Sequence, residues 1–175
     1  MRQSSAYPQG IDEAHLRAKG WHRHANPAAV IGIGLFLGAA LLGTFGGQPH
    51  PTRTIDTPSA TVTLQFPEIL RNGEFFEMRA TVKAKRSFKD MRLGISSTYW
   101  HDMTINSTLP GPSEEKSESG QYRFSYGPVE SGENVMIKFD GQINPPMFAG
   151  TKGKLTLLDG DAIVADIPVN LRIYP

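Results

Sequence analysis

The chain has 175 residues, 18 Lys and Arg against 17 Asp and Glu, a formal net charge of +1 and no cysteine. The missing cysteine excludes disulfides, thiol catalysis and thiolate metal sites. The balanced charge lacks the basic excess of a nucleic-acid binder, so no nucleic acid is expected as a partner.

Met1 to His24 reads as a polar cytoplasmic tail, with Arg2, Arg17, Lys19 and Arg23 against Asp12 and Glu13. Ile11 to Lys19 is spaced as a short helix, with acids in its first turn and Gly20 after its end. Residues 25–47 carry no Asp, Glu, Lys or Arg. About 20 helical residues cross a hydrocarbon core of about 30 Å, and Pro27 to Phe45 is near that length. Pro27 suits a first helical turn. Both the preceding tail and the apolar run are longer than in a cleaved signal peptide, and Gly43-Thr44-Phe45 is a poor cleavage site. The run therefore predicts an uncleaved, single-pass transmembrane helix in the cell membrane. Arg17, Lys19 and Arg23 precede it and only Arg53 follows closely, which predicts a cytoplasmic N-terminus and a periplasmic or extracellular C-terminal part. Gly34 and Gly38 stand one turn apart, a spacing that lets a second helix approach closely. They predict contact, within the lipid bilayer, with another membrane protein or a second copy.

Residues 48–58 contain Pro49, Pro51 and Pro58 and read as a stiff spacer. From Ser59 to the end the pattern changes to period two, the spacing of strands with one buried face. Ala60, Val62, Leu64 and Phe66 share a face, as do Phe76, Met78, Ala80, Val82 and Ala84. Met91, Leu93 and Ile95 continue it, and a short strand is expected near His101 to Thr108. Leu109 to Gly120 reads as a mobile loop. Tyr122, Phe124 and Tyr126 alternate again, followed by Val135, Ile137 and Phe139. Asp140 to Gly150 reads as a second loop. A hairpin with Asp159-Gly160 as its turn leads to a last strand, with Ile163, Ala165, Ile167, Val169, Leu171 and Ile173 on one face. Pro168 cannot donate to a ladder and predicts an edge or a bulge.

Seven or eight such strands predict a mainly β chain: one N-terminal helix followed by an antiparallel β-sandwich over 59–175. The sandwich looks immunoglobulin-like in architecture only, because the Cys…Trp…Cys pattern of antibody domains is absent.

No Gly-x-Ser-x-Gly motif occurs, and His50 and His101 are the only histidines after the apolar run. No catalytic residue and no cofactor are expected, and a non-enzymatic role follows. His101 and Met103, two apart on an expected strand, form the one candidate copper pair, since soft sulfur and imidazole suit copper(I). The plan of short inner tail, single span and β-sandwich resembles exported copper-handling assembly factors of terminal oxidases. The Cys-containing motif of that family is missing here, so its metal role does not carry over. Aromatic and apolar residues in loops, namely Trp100, Pro145, Pro146 and Phe148, are expected to make contacts. The sequence thus predicts an interaction or accessory subunit of a membrane complex, with metal handling at His101 and Met103 as the alternative.

Overall fold

A computed structural model describes residues 20–46, 50–145, 147 and 149–174. They divide into two compact units between Thr44 and Phe45. The expected helix at Ile11 to Lys19 lies outside the described residues, as do Pro146 and Phe148.

The first unit is a helix, α1 (Gly20–Leu41). It begins five residues before the apolar run, so Pro27 sits inside it rather than in its first turn, removing one donor from the ladder. Its end also comes earlier than expected. Gly43 takes a φ of 71°, and its N–H bonds the Ala40 carbonyl at 2.9 Å while the Thr44 N–H bonds that of Ala39 at 3.1 Å. This pair of bonds is a Schellman cap, in which glycine tolerates the left-handed conformation and the last carbonyls find donors. By length and composition, His24–Leu41 can cross a membrane. Val30, Ile31, Ile33 and Leu35 stand exposed along it.

The second unit is a two-sheet sandwich. Its strands are β1 (Thr52–Asp56), β2 (Ala60–Gln65), β3 (Ile69–Arg71), β4 (Phe75–Ala84), β5 (Met91–Ser96) and β6 (Met103–Leu109), then β7 (Glu114–Glu118), β8 (Gln121–Ser125), β9 (Asn134–Ile143), β10 (Thr151–Asp159) and β11 (Ala162–Tyr174). One sheet has the order β1-β2-β4-β9-β6, the other β3-β11-β10-β5-β8-β7. All neighbours are antiparallel except β3 and β11, which run parallel.

The expected alternation fills the core. β2 and β4 bury Ala60, Val62, Leu64, Phe76, Met78, Ala80, Val82 and Ala84 against Leu155, Leu157, Ile167 and Val169 of the facing sheet. Each large side chain fully removed from water contributes about 1.5–3 kcal/mol. Pro168 lies on a stretch of β11 that β3 does not reach, so its missing donor costs no ladder bond.

In the sandwich, three boundaries and the burial of one residue differ from the sequence reading. Residues 52–56, read as spacer, form β1 against β2. The expected loop from Leu109 to Gly120 contains β7, whose five residues are all exposed. The loop expected from Asp140 starts only after Ile143. Ile163 is exposed, because a register shift in the β10–β11 hairpin pairs Leu157 with Ala165 but Leu158 with Ile163, reversing which face it meets.

Candidate binding groove

The two sheets part where β6, the edge of one, faces β7 and β8, the edge of the other. An open groove of about 510 Å³ lies there. Trp100, Tyr122 and Phe124 form its aromatic lining, Ile105 and Thr108 come from β6, and Glu115 from β7. Trp100 arrives on the tight turn between β5 and β6, where its N–H bonds the Ser96 carbonyl at 3.2 Å. Its ring packs edge-on against Phe124 (5.5 Å between centroids) and Phe139 (5.3 Å), and tilts over Tyr122 at 6.0 Å. Trp100 is therefore mostly buried, at 7% exposure, whereas Tyr122 is 40% exposed.

Buried polar atoms without a partner among the described residues are Asn72 Oδ1, Trp100 Nε1, Arg123 Nε and the Tyr126 hydroxyl, and of these residues Trp100 lines the groove. Glu115 pairs in register with Phe124, so it shares that residue's strand face, while Glu114 and Glu118 pair with Lys116 and Arg123. Glu115 makes no ion pair and no side-chain hydrogen bond among the described residues. Every other Asp and Glu from Asp56 onward holds at least one such partner. Tyr126 lies near Glu115. Burial, and then the Glu115 charge, push its phenol well above the usual range, and its hydroxyl is also unpartnered.

The remaining sequence candidates are scattered. His101 was expected on a strand with Met103, but it occupies, with Asp102, the turn before β6. There Asp102 takes a φ of 56° and His101 Nδ1 comes within 2.9 Å of its Oδ2. His101 is exposed, whereas Met103 leans on the core and lines the groove, so the expected common strand face is not formed. Met78, Met91 and Met147 are buried core residues and Met136 is exposed on β9. Among the described residues, no group of three or more His, Asp or Glu is placed to hold a metal ion. Pro145 is exposed, receives a 2.8 Å hydrogen bond from Asn72 Nδ2 at its carbonyl, and does not line the groove. Of the predicted contact residues that the structure describes, Trp100 alone lines the groove. Tyr122 and Glu115 were missed, because the first read as an ordinary core alternation and the second as part of a loop.

No protein-family model matches the chain, and no curated protein does. Among solved structures, the chain is similar to the chitin-binding domain of a chitinase from Pyrococcus furiosus, with a TM-score of 0.40 and 14% identity over 65% of this chain and 100% of that one. It is also similar to a non-cellulosomal cohesin from the hyperthermophilic archaeon Archaeoglobus fulgidus, with a TM-score of 0.39 and 12% identity over 63% of this chain and 88% of that one. Likeness at this level says nothing of what this chain binds. The protein is a mainly β chain carrying one apolar N-terminal helix.

Proposed function

We propose that this protein is a membrane-anchored, non-catalytic binding module of a membrane complex, and that its sandwich meets its partner through the Trp100 groove. The observation that carries the reading is the open aromatic-lined groove itself, in which Tyr122 is 40% exposed and the Glu115 carboxylate has no side-chain partner among the described residues. Exposed aromatic surface beside a charge without a protein partner is the composition of contact sites. A hydrolase needs a nucleophile, a base and an oxyanion site together. The groove offers a single carboxylate among hydroxyl, amide and aromatic groups, which suits recognition.

The helix holds the module in the cell membrane, with the N-terminus cytoplasmic and the sandwich periplasmic or extracellular. Gly34 and Gly38 offer a second contact. Nothing stands within 4 Å of where a Cβ would lie on either, which leaves room for a second helix at close range.

Purification of the full chain in mild detergent, with the mass of the complex measured, tests this. The expected result is a stoichiometric partner that is lost on Tyr122→Ala, a change at a partly exposed groove residue. A monomer without a partner, or a complex that ignores the substitution, contradicts it.

A further inference from the structure

We infer that the groove recognises a lysine or arginine side chain carried on an extended segment of a partner protein. This rests on the groove reading above and adds the chemistry of the ligand.

Three features converge on that chemistry. Among the described residues of the sandwich, Glu115 is the carboxylate without a side-chain partner; it is exposed, on the strand face that it shares with Phe124, and lines the groove. A carboxylate next to aromatic faces favours a cation, through charge-assisted hydrogen bonding and through attraction to the ring quadrupole. The same charge repels a phosphate or carboxylate ligand. The second feature is the aromatic lining: Tyr122, 40% exposed, offers ring surface to a cation within the groove, and a peptide with a basic residue supplies that cation.

The third feature is β6. It is an unpaired edge of its sheet, and its residues Met103 to Leu109 include no Lys, Arg, Asp or Glu. The opposing edge, β7, reads Glu-Glu-Lys-Ser-Glu, the charged composition that discourages strand addition. An extended segment can therefore pair with β6 on one side of its irregularity between Ile105 and Ser107 and place side chains into the groove, the usual division between main-chain affinity and pocket specificity. The groove volume, about 510 Å³, lies within the range of sites that enclose small ligands or single side chains.

The chain contains two tryptophans, so Trp21→Phe leaves Trp100 as the sole emitter. The full chain in detergent is titrated with a short peptide of alternating Thr and Lys, and with its counterpart in which Gln replaces each Lys. The expected result is a saturable change in Trp100 emission, at least about tenfold tighter for the Lys peptide. Glu115→Gln abolishes that preference, and Glu114→Gln, on the opposite face of the same strand, retains it. No saturable change, equal affinity for both peptides, or a preference that survives Glu115→Gln overturns the inference. If the peptides fail while Tyr122→Ala still releases the captured partner, the groove stands and only the cation falls. If Tyr122→Ala releases nothing, the binding-module reading itself falls.

Discussion

The two sides of the sandwich close in opposite ways. On the β1 side, Arg53 reaches across to the other sheet. Its guanidinium bonds Glu68 at 2.5 Å and the Pro168 carbonyl at 3.1 Å, and lies 5.3 Å from the Phe66 ring centroid. One side chain there satisfies a carboxylate, an edge carbonyl and an aromatic face. On the β6 side no such bridge forms. Trp100 keeps an unused donor, Glu115 an unused charge, and the sheets leave a groove between them. The bridge at Arg53 and the groove beside Trp100 are the contrast on which the proposed contact edge rests.

Substitution in the core beneath the groove's aromatic residues has the largest expected effect. Phe139 is fully buried and packs against both Trp100 and Phe124. Phe139→Ala is expected to cost about 3–5 kcal/mol in denaturant unfolding. A cost below about 1 kcal/mol would mean that the aromatic cluster is not part of the core.

Acid comes next. Burial pushes the Asp90 and Asp166 carboxyls up, but hydrogen bonds from Ser125 and Arg92 to the first, and from Lys154 and Thr156 to the second, outweigh it and hold both below the usual range. A carboxylate depressed in the folded state contributes stability above its unfolded value, about pH 4, and loses it as pH falls through the folded value. The thermal midpoint should be nearly flat from about pH 7 to 5 and fall below about pH 4. A midpoint that rises over the acid range would contradict these assignments.

The closed and open edges should then separate in a direct pair of substitutions. Arg53→Ala removes a half-exposed ion pair and an edge hydrogen bond, for an expected loss of about 1 kcal/mol after allowing for solvent screening. Glu115→Gln removes a carboxylate with no partner and should change stability by less than about 0.5 kcal/mol. Equal losses in the two variants would erase the distinction between the edges.

Legibility in the sequence followed burial. β4 and most of β11 could be read because one face of each is buried and the other wet, so period two is printed in the residues. β7 could not, because an edge strand exposed on both faces has no apolar partner to impose alternation. Ile163 misled because a bulge changes parity without changing composition. His101 misled because a turn with a positive φ at Asp102 precedes β6 and takes His101 off the strand that carries Met103. Trp100 stood out as an aromatic residue in a loop, but its neighbours in the groove come from three strands, and that proximity is a property of the sheet edges.

Site-specific photo-cross-linking in native membranes tests the binding edge most directly. A photo-reactive phenylalanine is placed at Thr108, which lines the groove, or at Thr54, which is exposed on β1 at the opposite side. A discrete adduct from Thr108 and none from Thr54 is the predicted result. No adduct at Thr108, or equal adducts from both positions, would contradict the assignment of the groove as the contact surface.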